Sequence, residues 1–75
     1  MMTIEELSKI LKPNWRYMAM DLDQNWWVYE QHPVKMETFW AINENCGNAM
    51  NVSKLVDIEP DTDWETSLYE VERDD

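Results

Sequence analysis

His32 and Cys46 are the residues whose types best suit nucleophilic catalysis, an imidazole that could deprotonate a thiol. Nothing in their spacing links them. His32 precedes Pro33 and reads as a surface loop residue; Cys46 precedes Gly47 and reads as part of a turn. A second constellation is Glu59, Asp61, Asp63 and Glu70. Counted from Glu59, these acids occupy positions 1, 3, 5 and 12, the spacing of an EF-hand calcium loop. The match then fails. Trp64 stands where that loop needs glycine for its turn, Pro60 follows the first acid, and no long helix precedes the segment. Carboxylate pairs for glycoside hydrolysis are plentiful, but they need a cleft that separates their pKa values. Seventy-five residues with one glycine leave little room for such a cleft. The expectation is a protein with no catalytic residues, no bound metal and no cofactor.

The acids have a different message. Nine of the sixteen carboxylates lie from Asp57 to Asp75, with only Arg73 against them. The preceding residues hold seven acids and five bases and are nearly neutral. Within the acidic segment, Asp57, Glu59, Asp61, Asp63 and Glu65 place a carboxylate at every second residue. In an extended chain, same-side charges recur about every 6.6 Å. Two nucleotides of one DNA strand advance about 6.8 Å. A DNA-binding protein could meet a ladder of phosphate-like charges here, although a solvated, solubilising surface explains the same run. The formal net charge of −10 disfavours direct contact with nucleic acid or an anionic membrane and favours a basic protein partner.

Something must hold these groups in place. The chain reads as a single small domain, 1–75, with 57–75 as its acidic C-terminal segment. A chain this short usually needs a disulfide, a metal, a rich core or self-association. One cysteine excludes an internal disulfide and suggests a reducing compartment. No apolar run approaches the ~20 residues of a membrane span. The N-terminus has no secretory-signal pattern, so a cytosolic protein is expected. Nine aromatic side chains remain as the main source of burial.

Thr3 and Glu6 form a capping-box pattern, and Ile4, Leu7, Ile10 and Leu11 recur at helical spacing. Pro13 ends the run, predicting a helix over 4–11. The aromatic-rich stretches 15–21 and 26–31 flank a polar cluster and read as a hairpin. With Asp23-Gln24 at its tip, Met20 opposes Trp27. One face then carries Met18, Met20, Trp27 and Tyr29, and the other Trp15, Tyr17, Ala19, Trp26 and Val28. Both faces are apolar, and a short helix covers only one. The second needs the C-terminal segment or another molecule, which makes a homodimer through the sheet an expectation. The stretch 34–37 reads as a link to a third strand at 38–43. Asn43 to Asn48 reads as a turn, with a fourth strand at 50–58. Trp64, Leu68 and Val71 recur at helical spacing after Thr62 and Asp63, so a short C-terminal helical turn is predicted. The ordered core is expected to end near Leu68, leaving 70–75 loose. The fold class is α+β, with a three- or four-stranded antiparallel sheet.

Trp15-Arg16-Tyr17-Met18-Ala19-Met20-Asp21, Trp26-Trp27-Val28-Tyr29-Glu30, Pro33, Trp40, and Asp63-Trp64 with Ser67-Leu68 resemble a group of small phage and prophage proteins. The chain departs from that group at Gln24, where the group tends to have glycine, which disfavours a tight type I′ turn. The resemblance implies a viral origin and a bacterial host cytoplasm, and carries no activity. By analogy of charge and size, the chain is expected to bind and inhibit a basic, nucleic-acid-binding host protein such as an enzyme or defence factor. Asp57, Glu59, Asp61, Asp63 and Glu65 would supply the charge, and Trp15, Tyr17 and Trp26 the apolar anchors. The alternative is a self-associating module whose aromatic sheet face closes a dimer, the acids serving solubility.

Overall fold

A computed structural model describes residues 1–42 and 47–71. The capping box forms as the sequence predicts. The Thr3 hydroxyl accepts from the Glu6 N–H, the Glu6 carboxylate accepts from the Thr3 N–H, and helix α1 runs Ile4–Ile10. It buries Leu7 and Ser8 and stops at Leu11, which turns extended.

The hairpin forms from β1 (Tyr17–Met20) and β2 (Trp26–Tyr29), one residue out of the expected register. Met20 pairs with Trp26 and Ala19 with Trp27. The cause is the turn. The Asp21 carbonyl accepts from the Gln24 N–H, and Asp21 N–H donates to Asn25 O, so the loop tip holds Leu22, Asp23 and Gln24. Gln24 adopts φ +69°, the left-handed residue that closes a three-residue hairpin loop. Register has period two, so this slip regroups both faces. Met18, Met20, Trp26 and Val28 face one side, where Leu7, Val52, Ile58 and Val71 complete the main core. Ala19 and Tyr29 face the other with Tyr17 and Trp27, under Trp40, Trp64 and Leu68.

The four-stranded antiparallel sheet has the order β5-β2-β1-β6. Strand β5 is Ala49–Asn51 and β6 is Tyr69–Glu70. Two segments differ from expectation. Val34–Lys35 is a strand, β3, not a link; it pairs with β4, Trp40–Ala41, in a separate two-stranded ribbon. The predicted fourth strand ends at Asn51, and the chain then turns through 53–55. At the C-terminus, a 3-10 helix at Trp64–Thr66 is capped by Asp63, as expected of a short helical turn. The chain does not stop being ordered near Leu68, because β6 pairs with Tyr17 and Met18. Val71 is 5% exposed, and its N–H donates to Arg16 O at 2.8 Å. Trp64, Leu68 and Val71 fit a helix and a turn followed by a strand equally well, which is why periodicity alone misled. The turn expected at Asn43 to Asn48, Cys46 included, lies mostly outside the described residues, as do residues 72–75.

The sheet's second face is covered within the chain, by the ribbon and the C-terminal segment. Covering that face therefore does not require a second molecule.

Candidate partner-binding site

The acidic segment is held against the N-terminus by a short parallel bridge between Met2 and Ile58. Met2 N–H donates to Asp57 O at 2.8 Å, and Glu59 N–H donates to Met2 O at 2.7 Å. Ile58 turns inward, 8% exposed, so Asp57 and Glu59 on either side face solvent. A second anchor comes from β2. The Trp26 indole N–H donates to Glu59 O at 3.1 Å, and the Trp26 backbone N–H donates to Ser53 Oγ at 2.7 Å.

These contacts create a cleft of about 390 Å³ where α1, β2 and the segment 59–62 meet. Ile4, Trp26 and Pro60 supply its apolar lining, and Glu5, Glu59 and Asp61 its charge. No lining side chain among the described residues is basic. Three residues singled out from the sequence, Trp26, Glu59 and Asp61, are thus brought together. Glu5 and Ile4 join them and were not foreseen. Their contribution depends on the Met2–Ile58 bridge, for which the one local sign is a buried isoleucine between two acids.

The five acids do not form one straight ladder. The chain bends at Thr62. Asp61 Oδ1 accepts from Asp63 N–H at 3.3 Å and from the Thr62 hydroxyl. Asp63 Oδ1 accepts from Glu65 N–H at 3.0 Å. Glu65 pairs with Lys35 at 3.0 Å, an exposed bridge worth little on its own. Asp57 and Glu59 are the two ladder carboxylates with no side-chain hydrogen bond among the described residues.

The aromatic anchors also rearrange. Trp26 is 1% exposed and packs in the core, so it floors the cleft instead of projecting from the surface. Tyr17 lies on the opposite face of the sheet, half-buried, edge-on to the His32 ring at 5.2 Å. Trp15 packs partly buried against the main core. These three side chains do not share one exposed face. The register slip separates Trp26 from Tyr17, and Trp15 lies before β1, outside its alternation.

His32 is exposed, with Nδ1 2.8 Å from Pro33 O. Among the described residues, no group of three or more His, Cys, Asp or Glu side chains could hold a metal ion, and no helix is long and apolar enough to cross a membrane. Glu70, the twelfth position of the calcium-loop count, sits in β6 opposite Tyr17.

Among the described residues, Asp21 is the carboxylate whose pKa the fold shifts. Burial raises its pKa above the usual carboxylate value, partly opposed by the Trp40 N–H it accepts at 2.8 Å and reinforced by nearby Asp23. A raised folded-state pKa means that the folded chain holds this proton more tightly than the unfolded chain. The stabilisation from protonated Asp21 is therefore full below the unfolded pKa and is lost as pH rises through the folded one. Asp21→Asn keeps an acceptor for Trp40 N–H and removes the ionisation. It is expected to melt above the wild type at pH 7, with the gap closing towards pH 4. Calorimetry across that range is the check; a gap that widens on acidification would reverse the assignment.

Comparison of the chain with protein-family models, curated proteins and solved structures found no match.

Proposed function

We propose that the chain is a non-catalytic accessory protein that docks its acidic edge onto a basic, nucleic-acid-binding protein of a bacterial host and blocks it, as a small phage inhibitor would. The observation that carries this reading is the cleft in which Glu5, Glu59 and Asp61 ring an apolar floor of Ile4, Trp26 and Pro60. An arginine or lysine side chain is amphipathic: its stem packs on apolar surface while its head seeks charge. The cleft offers both within one concavity. Exposed Asp57 beside it and the net charge of −10 would steer a basic surface towards it.

The test is competition. A partner recovered from bacterial lysate should release its nucleic acid when this protein is added. Its affinity for the protein should fall steeply from low to physiological salt, where the Debye length shrinks to about 8 Å. Salt-independent binding, or binding alongside the nucleic acid, would oppose the proposal.

A second reading has its own observation. Leu22, Val34, Met36, Phe39 and Ile42 are between 44% and 56% exposed, all in or beside the β3–β4 ribbon. That apolar surface favours self-association through the ribbon, with the acids serving solubility. Light scattering across a micromolar concentration series separates the two readings.

A further inference from the structure

The opposite face of the sheet holds a second cleft, of about 460 Å³, between β2, β4 and β5. This volume falls within the ~300–1,000 Å³ of small-molecule sites. Its walls are largely aromatic: Trp27, Tyr29, Phe39 and Trp40. Two of these rings have their polar ends committed elsewhere. The Tyr29 hydroxyl donates to Trp40 O, and the Trp40 indole N–H donates to Trp64 O, each at 3.1 Å. They offer the cleft ring surface and no donor. Phe39 and Ile42, each nearly half exposed, leave it open to solvent.

The charge that the described residues bring to this cleft has one sign. Among the described residues, Asp21 is the only ionisable lining group besides the phenol of Tyr29, whose pKa burial pushes up, so that it stays neutral. Asp21 Oδ1 is taken by Trp40 N–H, and its second oxygen has no hydrogen bond among the described residues. Asn51, directly opposite Trp27 in the sheet register, adds to the same face a buried Oδ1 that accepts no hydrogen bond among the described residues. A phosphate or carboxylate would find no cation among the described residues here. A positive ligand would find aromatic quadrupoles and a carboxylate in a partly desolvated setting, where both attractions are strongest.

We infer that this cleft is a binding site for a small organic cation, an alkylated ammonium group carried on an apolar body. The ammonium sits among the rings of Trp27, Phe39 and Trp40 with Asp21 as its counter-charge. The apolar body fills the side towards Ile42 and Ala49. The ionised Asp21 costs stability in the free protein, a pattern common at binding sites, where a ligand supplies the missing partner. This inference is independent of the acidic cleft: strand alternation places Trp26 and Trp27 on opposite faces of the sheet.

The test is an amide and indole NMR titration of the full chain with three probes. Choline and 3,3-dimethylbutan-1-ol have nearly the same shape and differ in charge. Benzyltrimethylammonium adds an apolar body. Choline should bind at least about ten-fold more tightly than the neutral alcohol, the gain expected of a cation held by rings and a carboxylate. Benzyltrimethylammonium should bind more tightly still. The shifts should centre on the Trp27 and Trp40 indoles and the Ala49 amide. Asp21→Asn, which keeps the acceptor for Trp40 N–H, and Phe39→Leu, at an exposed position, should each weaken the cations several-fold and leave the alcohol unchanged. Equal affinity for choline and the alcohol would overturn the inference. So would unsaturable shifts in the millimolar range, shifts centred away from these residues, or binding indifferent to both substitutions.

Discussion

Trp26→Ala is expected to lower stability by about 3–5 kcal/mol, the usual cost of emptying a buried aromatic site. Most domains of this size have little more than that in total, so the variant should be largely unfolded at 37 °C. Two contacts fail together. The ring leaves a void among Met18, Val28, Leu7 and Val52. The indole N–H no longer holds Glu59 O. The segment 52–59 keeps its ties to the backbone of residue 26 through Ser53 and Val52, so the loss is confined to the side chain. Trp26→Phe keeps most of the ring and loses the N–H, so a smaller loss of about 1–2 kcal/mol is expected. Urea denaturation followed by circular dichroism checks both. A Trp26→Ala protein that stays folded would return Trp26 to the role of surface anchor.

Ser67→Ala carries the second-largest expected loss, about 1–3 kcal/mol, because it leaves a buried N–H without a partner. Ser67 is 2% exposed. Its Oγ accepts from Met20 N–H at 2.8 Å and lies 3.1 Å from Met20 O and 2.7 Å from Trp64 O. One hydroxyl thus closes the end of β1 onto the 3-10 helix, 47 residues away in sequence. Hydrogen exchange should show the Met20 amide losing protection before the β1–β2 pairs. An unchanged Met20 amide would mean that the serine is dispensable.

Ser67 also shows what a sequence can and cannot disclose. The Asp63-Trp64 and Ser67-Leu68 pattern stood out in the chain, and the structure gives it structural duties. Asp63 caps the 3-10 helix, Trp64 packs against both core clusters, and Ser67 bridges to β1. Local signals of this kind were legible: the capping box at Thr3 and Glu6, the hairpin, the break at Pro13. Features that depend on a single residue of loop length were not. A three-residue tip in place of two shifted the β1–β2 register and moved Trp26 from the assumed exposed face into the core. Short strands were also illegible. Val34–Lys35 and Tyr69–Glu70 are two residues each and take their identity from their pairing, the first with nearby Trp40–Ala41 and the second with distant Tyr17 and Met18.

The candidate site divides in the same way. Clustering of acids from Asp57 onward can be counted directly. Which of them remain available cannot, because Asp61, Asp63 and Glu65 find partners only once the chain bends at Thr62. Glu5 joins the cleft through backbone pairing of Met2 with Ile58, which no side-chain pattern encodes. The aromatic cleft draws Asp21 from the hairpin corner, Trp27 from β2 and Phe39 from beside the ribbon. No linear motif joins those three.

The central claim, that a basic partner is held at the cleft and not by diffuse negative charge, is tested most directly by two variants of equal net charge. Glu5→Gln with Glu59→Gln neutralises two cleft carboxylates. Glu37→Gln with Glu70→Gln removes the same charge from exposed positions elsewhere. The measurement is the affinity of each variant for the partner recovered from bacterial lysate, at one fixed ionic strength. The cleft variant should bind at least about ten-fold more weakly than wild type, through slower association and faster release, and the control variant within about two-fold of it. Equal losses in the two variants would contradict the claim and leave the acids as a solubilising surface.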